Sequence, residues 1–248
     1  MQERSERTRR RLVFAGAELF HRNGYANATL GEIAGAAGVT KGALYFHFAS
    51  KDELADAVQQ RGCGLLDEAV RGLLDGGDSP LQALIDTTHW LARTLHEDPA
   101  IPASFRITKE CAGHQPAAVD FHGAWLSAVC ELLRMARDVG ELPLDRPAVG
   151  VPDGERDGGE RDGGSAADRW ESAEALVAAA VCGIEVLAGT GLSYAELQRK
   201  VAALWGLLLP SLVGAERVRE YRIAAGSADA REREPGGERS YEFLGSVV

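Results

Sequence analysis

Apolar residues recur three or four positions apart along almost the whole chain, a spacing that places them on one face of an α-helix. Sustained alternation of apolar and polar residues is missing, as is an Asn-Gly or Asp-Gly hairpin turn between β-branched runs. The pattern therefore predicts an all-α fold. The first predicted helix runs from about Thr8 to Asn23 and ends at Gly24, which is suited to a left-handed helix cap.

Capping boxes mark several helix starts, because a Ser or Thr and a Glu three residues later bond each other's backbone N–H groups. Such boxes begin at Thr29, Ser50 and Ser193. Gly38 divides the segment after Thr29 into two short helices, and the helix after Ser50 is predicted to end at Gly76-Gly77. Later helices are predicted from Pro80 until Pro99, over about 102–112, 116–139 and 169–188, and from Ser193 to about Leu212.

The predicted organisation has an N-terminal three-helix helix-turn-helix domain (residues 1–53) and a larger helical ligand-binding and dimerisation domain (54–214). Residues 143–168 repeat Gly-Glu-Arg-Asp-Gly with few apolar residues to bury, which predicts a disordered loop. Residues 215–248 are polar and glycine-containing, which predicts a flexible tail. Helices 8 and 9 are apolar on more than one face, which predicts a homodimer interface through both.

Charged residues are distributed unevenly along the chain. The 248-residue chain is 45% hydrophobic, enough for a buried core, and has a net charge of −10. Residues 1–52 nevertheless carry eight Arg and Lys against five Asp and Glu, a balance of +3, and the remainder is strongly acidic. A basic N-terminal domain (the head) joined to an acidic larger domain (the body) favours DNA binding by the head alone. No signal peptide or membrane segment is visible, so a cytoplasmic location is expected.

Two short helices joined by a glycine-containing turn form the helix-turn-helix pattern, in which the second helix enters the DNA major groove. Gly42 and Ala43 leave the backbone of this second helix free to approach the bases. Donor side chains around it, and at helix N-termini, can hold phosphates. Leu44, Phe46 and Phe48 are predicted to be core residues. The predicted DNA contacts are Arg7, Arg9, Arg10, Thr29, Thr40, Lys41, Gly42, Ala43, Tyr45, His47 and Lys51.

The residues Ala36-Ala37-Gly38-Val39-Thr40-Lys41-Gly42-Ala43-Leu44-Tyr45-Phe46-His47-Phe48, followed by Ser50-Lys51-Asp52-Glu53-Leu54, strongly resemble the TetR family of repressors. The resemblance extends from helix 1 through Leu54. It implies a dimeric helical repressor in which the second helix of the helix-turn-helix contacts DNA. It also implies that binding of a small molecule in the larger domain releases the DNA.

No metal cluster or phosphate-binding loop is visible, so no cofactor or metal is expected. The six histidines are scattered without partners, which argues against an enzyme, although an assay that consumed ligand would revive that alternative. The four cysteines lie far apart and are interpreted as reduced thiols. A pocket for a small apolar ligand remains, and its predicted residues are Trp125, Thr88, Trp90, Phe105 and Phe121.

Scattered motifs are similar to a narrower group, the γ-butyrolactone receptors of actinomycetes. They are Gly42–Phe48, Phe105-Arg106-Ile107, Trp125, Val181-Cys182-Gly183 and Leu204-Trp205. The resemblance implies that Trp125 stacks on a lactone ring and that the dimer binds palindromic operators controlling antibiotic or other secondary-metabolite genes. Glu185 and the charged loop 143–168 depart from the group. A butenolide, a furan acid or the antibiotic itself therefore remain alternative signals, as does a pseudo-receptor that senses no lactone.

Overall fold

A computed structural model describes residues 2–111, 120–143 and 166–225. These residues form helices joined by turns and contain no β-strand, which confirms the predicted fold class. None of the helices in these three ranges is long and apolar enough to cross a membrane. The helices are α1 (Gln2–Asn23), α2 (Leu30–Ala36), α3 (Lys41–His47), α4 (Lys51–Asp75), α5 (Pro80–Glu97), α6 (Ala100–Cys111), α7 (Phe121–Asp138), α8 (Ala166–Ala188), α9 (Tyr194–Val213) and a 3₁₀ helix (Val218–Glu220).

Local capping explains most of the helix boundaries. The Thr29 and Ser193 boxes are both present, with Glu32 and Glu196 as their acidic partners. Gly38, which ends the turn after α2, has a φ of 63° that favours glycine. α1 begins several residues before the predicted start at Thr8, because the residues from Gln2 onward are helix formers that nothing interrupts.

Two other helix starts differ from prediction. α7 begins at Phe121, because the Asp120 carboxylate accepts hydrogen bonds from the N–H groups of His122 and Gly123. The predicted start at residue 116 lies outside the described residues. α8 begins at Ala166, so 166–168 belong to a helix and not to the predicted disordered loop. Residues 144–165 of that predicted loop also lie outside the described residues.

The molecule has two hydrophobic cores. The head core is formed by α1 to α3, the first turns of α4 and one face of α6. Its α6 members are Ala100, Ala103 and Ile107, so it extends beyond residue 53. The body core is formed by the rest of α4 and by α5 to α9, and its largest fully buried side chains are Trp125, Trp205 and Phe121.

Residues 214–225, here called the C-terminal strap, run back over α5. The backbone N–H of Arg222 donates to Gln82 Oε1 (2.8 Å), and Gln82 Nε2 donates to the Arg222 carbonyl (3.1 Å). The Tyr221 hydroxyl donates to the carboxylate of Glu141 (3.1 Å). This packing differs from the predicted flexible tail, because Tyr221 is buried against the body core. Residues 226–248 lie outside the described residues.

Candidate nucleic-acid interface and sensing core

Helix α3 is anchored on one side and exposed on the other. The Thr40 hydroxyl caps its start by accepting from the Ala43 N–H (3.1 Å). Leu44 and Phe48 are 0% and 1% exposed, as predicted, but Phe46 is 80% exposed, so its assignment to the core was wrong. Two residues along a helix turn the side chain by about 200°, whereas four residues return it to the same face. Tyr45 is also exposed, at 56%.

Gly42 stands at an open position near the start of α3. A Cβ atom built there would lie 3.9 Å from its nearest neighbour, Thr40 Oγ1. Neither packing within the protein nor a positive φ therefore requires glycine at this position. The next residue, Ala43, is half-buried and lines a neighbouring cleft. The bare backbone at Gly42 is available to a molecule that approaches α3 from outside.

The neighbouring cleft separates the first turns of α1 from α3. It is lined on the α1 side by Arg4, Arg7 and Arg11, and on the other side by residues that include Phe46 and His47. Arg11 also donates to the Ala37 carbonyl at the end of α2. Sequence reasoning missed Arg4 and Phe46. The helical spacing of positions 4, 7 and 11 would have indicated Arg4 if α1 had been extended to its true start.

Arg9 and Arg10, which are also predicted to contact DNA, lie on α1 as well. The Arg9 guanidinium lies 5.1 Å from the centroid of the Phe48 ring, and Arg10 is exposed. Arg9 therefore packs a cation against one of the aromatic anchors of α3.

Lys51 and Thr29 already have partners within the protein. The Lys51 ammonium donates to the carbonyls of Tyr25, Ala26 and Ala28 at 2.9, 3.2 and 3.3 Å. The Thr29 hydroxyl donates to Glu32 (2.7 Å) within its capping box. Phosphate contacts by Lys51 or Thr29 would have to compete with these bonds. Lys41 is exposed, and its side chain lies against Gly31. A Cβ atom added to Gly31 would come within 2.7 Å of Lys41 Cε.

The aromatic residues predicted to bind ligand partly converge in the body core. Phe105 and Phe121 meet edge to face with ring centroids 5.1 Å apart, and Trp125 lies one helical turn beyond Phe121. Within the part of the chain that the structure describes, neither the buried Trp125 indole N–H nor the buried Ser104 hydroxyl has a hydrogen-bond partner. Such unpaired groups are uncommon in protein interiors. We call Ser104, Phe105, Phe121 and Trp125 the sensing core.

The two other predicted ligand residues lie on α5. Thr88 is fully buried, donates to the Ile85 carbonyl (2.6 Å) and accepts from the Trp205 indole N–H (2.8 Å). Its hydroxyl thus joins α5 to α9. Trp90 is half-buried and packs at the edge of the body core.

Buried polar bonds connect the sensing core to α4. Gln59 of α4 is 0% exposed, accepts from the Phe121 N–H (3.1 Å) and donates to Thr108 of α6 (3.2 Å). Gly62, one turn further along α4, leaves room for Phe121 and Ser104, because an added Cβ would lie 3.0 and 3.1 Å from them. Helices α4, α6 and α7 therefore meet tightly at the sensing core.

A second set of polar bonds joins α6 to the head. Arg106 donates to the His21 carbonyl at the end of α1 (2.7 Å) and to the Glu110 carboxylate (2.8 Å). Glu110 in turn accepts from the Ala26 N–H (3.0 Å). Burial raises the pKa of Glu110, but the hydrogen bonds from Ala26 and Arg106 outweigh it, so the pKa lies below its ordinary value. We call this arrangement the α6–α1 link.

Known proteins share this architecture. The family model described as bacterial regulatory proteins, tetR family, matches residues 12–58. The A-factor receptor protein of Streptomyces griseus is 29% identical over 215 residues, which cover 85% of this chain and 66%, just under two thirds, of that relative. The transcriptional regulator SrpR of Pseudomonas putida is 30% identical over 153 residues, which cover 59% of this chain and 70% of SrpR.

Two solved structures are similar over most of their length. One is a crystal structure of a γ-butyrolactone receptor (ArpA-like protein), with a TM-score of 0.66, 28% identity and coverage of 88% of this chain and 94% of that one. The other is the TetR family protein CprB of Streptomyces coelicolor in complex with its operator sequence, with a TM-score of 0.63, 27% identity and the same coverage.

A small head that exposes a short helix beside arginines, joined to a larger helical domain, is the architecture of a helix-turn-helix DNA-binding regulator. The family match and the similarity to SrpR identify the kind of regulator more closely. The chain belongs to the TetR family of bacterial regulatory proteins, and it resembles the γ-butyrolactone receptors within that family.

Proposed function

We propose that this chain is a repressor that binds palindromic operator DNA as a homodimer and is released by a γ-butyrolactone or a related small signal. The observation that carries the DNA-binding half is the exposed side of α3, where Gly42 has no packing role and Tyr45 and Phe46 face outward. Arg4 and Arg7 lie across the adjoining cleft, where they supply positive charge for phosphates. CprB, with a similar fold, has been solved with its operator.

Exposed apolar side chains on the last two helices support the dimer. Leu207 of α9 is 79% exposed, and Val186 and Leu176 of α8 are 60% and 54% exposed. Large apolar residues that share neighbouring helices in this way favour a protein partner. In the proposed dimer, α8 and α9 of both subunits pack together, and two α3 helices reach major grooves about one DNA turn apart, roughly 34 Å.

The test of DNA binding uses two glycines. Operators are first selected from random duplexes by the wild-type protein, and a palindromic consensus is expected. Gly42→Leu should then weaken operator binding about tenfold or more, because the side chain blocks the close approach of the backbone. Gly72→Leu on α4 is the matched control, since an added Cβ there meets nothing within 4 Å. Both variants should keep the wild-type melting temperature or exceed it. Equal operator affinity of both would contradict the proposal.

The sensing core supports the ligand half of the proposal. A lactone offers acceptor oxygens, and the Trp125 N–H and Ser104 hydroxyl are buried donors without a partner among the described residues. Phe105 and Phe121 supply apolar contacts for an alkyl chain. The γ-butyrolactone receptor of similar structure carries a lactone ligand in its name, and the similar protein of Streptomyces griseus is also named a receptor. We therefore place the signal beside Trp125, and the regulated genes among those for antibiotics or other secondary metabolites.

The bonds around Gln59 and the α6–α1 link support a route for release. A ligand beside Trp125 would displace Phe121 or α6, both of which are bonded to Gln59. A shift of α4 and α6 would then change the spacing of the two heads. Such a ligand acts by favouring the conformation in which the heads no longer match both half-sites.

Substitution of one tryptophan tests the ligand half. A synthetic γ-butyrolactone with an alkyl side chain should raise the melting temperature of the wild-type protein and release the selected operator. Trp125→Phe keeps an aromatic ring and removes the N–H donor, so the lactone should bind about tenfold more weakly. Trp170→Phe on α8 is the matched control. If no lactone shifts the melting temperature while an antibiotic does, the drug-responsive alternative is correct.

A further inference from the structure

A second cleft lies outside the sensing core, between α6 and the ends of α1, α5 and α8. Its volume is about 570 Å³, within the size range of small-molecule sites. One set of lining residues is apolar, namely Leu95, Pro102, Ala188 and Leu192, and we call it the apolar wall. The polar wall consists of His21, His96, Arg106, Lys109 and Glu185. An apolar wall facing a few polar groups is typical of binding sites for amphipathic molecules.

The polar wall retains hydrogen-bond donors that a ligand can use. Lys109 bonds Glu185 (2.6 Å), which leaves two of its three N–H groups without a partner among the described residues. The carbonyl oxygens of His21 and Leu192 already face Arg106 and His96, at 2.7 and 3.1 Å. A ligand carboxylate that enters this cleft therefore has two N–H donors of Lys109 within the polar wall.

The electrostatic environment of His21 also reflects the cationic side chains near this cleft. Burial, together with the cations Arg106 and Arg22, lowers the pKa of His21 below its ordinary value. Two of the cationic side chains in this region, Arg106 and Lys109, line the cleft itself. Arg106 is bonded to Glu110 and Lys109 is bonded to Glu185, which also lines the cleft.

We propose that this cleft binds an amphipathic carboxylate, with its apolar chain along the apolar wall and its carboxylate at Lys109 and Arg106. Glu185 places a protein carboxylate beside Lys109, so its negative charge opposes the binding of a second carboxylate to the same ammonium. The site touches α1 through His21, and α8 through Ala188 and Glu185. A bound carboxylate would thereby connect the DNA-binding head to the proposed dimer helix, at a place separate from Trp125.

The test uses decanoate, a ten-carbon carboxylate, titrated into the full-length protein by calorimetry below its micellar concentration. One molecule should bind per chain, and decanol should bind at least tenfold more weakly. Lys109→Met should weaken decanoate about tenfold or more, because a charge-assisted hydrogen bond is lost. Glu185→Gln should tighten it about threefold or more, because the competing charge is removed. Arg134→Met, which removes exposed ion pairs on α7, is the control and should change nothing.

The location is checked by NMR. Decanoate should shift the methyl resonances of Leu95, Ala188 and Leu192. Shifts centred on the Trp125 indole would overturn the proposal, as would a lack of saturable binding to both the wild-type protein and Glu185→Gln. Equal weakening by Lys109→Met and Glu185→Gln would also overturn it, because it would show that the ion pair only holds α6 and α8 together. None of these measurements involves DNA, so they test the carboxylate site independently of the proposed repressor function.

Discussion

Individual side chains of α3 have opposite roles because of their angular positions. Leu44 and Phe48 hold the short helix against the head core, whereas Phe46 lies on the far side and meets solvent. Alternate positions share a face in a strand but not in a helix, so the prediction that placed Phe46 in the core with Leu44 and Phe48 was wrong. An exposed phenylalanine beside Arg7 and His47 is suited to contact apolar parts of DNA, such as the thymine methyl group.

Alanine substitutions at Phe46 and Leu44 should separate these roles. Phe46→Ala should change the free energy of unfolding by less than about 0.5 kcal/mol, because its side chain makes few contacts. It should still weaken binding to the selected operator. Leu44→Ala should destabilise the protein by about 2–5 kcal/mol, because it leaves a cavity. Urea unfolding and gel retardation measure the two effects, and a large loss of stability in Phe46→Ala would contradict this assignment.

Residues that act locally could be predicted from the sequence, and residues that act at a distance could not. The capping role of Thr29 and the turn at Gly38 were predicted correctly, because a capping box and a glycine turn depend on neighbours in sequence. The partners of Lys51 are the carbonyls of a loop more than twenty positions away, which no spacing rule identifies. The place of Arg4 beside the cleft could be predicted only if the true start of α1 was known.

Glu110 gives the α6–α1 link a dependence on pH. Its folded-state pKa is lowered, so its carboxylate stabilises the link above the ordinary pKa and loses this effect as the pH falls through the folded value. The Ala26 amide resonance, whose proton bonds Glu110, should therefore titrate with a midpoint below that of an ordinary glutamate. In Arg106→Gln the midpoint should move up toward the ordinary value. An unchanged midpoint in that variant would show that Arg106 does not stabilise the Glu110 carboxylate.

Among whole elements, the helices were predictable and the C-terminal strap was not. Amphipathic periodicity specifies a helix by itself, whereas the strap has little regular structure and is held by single contacts to α5 and to Glu141. Its sequence is polar and contains glycine, which resembles a flexible tail until its partners are known. The buried partners, Gln82 and Glu141, lie far away in the sequence.

Two truncations test the strap. A chain ending at residue 213 leaves the Gln82 side chain and the Glu141 carboxylate without their strap partners, so its free energy of unfolding should fall by about 2 kcal/mol or more. A chain ending at residue 225 retains these contacts and should unfold at the wild-type urea concentration. If the two truncated chains were equally stable, the strap contacts would have no net effect.

At the scale of the whole molecule, α8 and α9 supply the proposed dimer surface. Leu207→Glu should convert the dimer to a monomer, because it buries a charge in an apolar interface. Light scattering coupled to size exclusion would measure the mass. The monomer should lose most of its operator affinity, because one head contacts only one half-site. Val139→Glu is the control, since Val139 is 64% exposed at the end of α7. A dimeric Leu207→Glu protein would place the interface elsewhere.

The strap also imposes an order on biosynthesis. Because chains emerge from the ribosome with the N-terminus first, the head core can be completed once α6 has been made. The body core cannot be completed until Tyr221 and Arg222 have left the exit tunnel, since they bond Glu141 and Gln82. During this interval the side of α5 that the strap covers is exposed, so the body core of the nascent chain stays incomplete longer than the head core. Synthesis that stops shortly before codon 221 would therefore give chains with a complete head core and an incomplete body core.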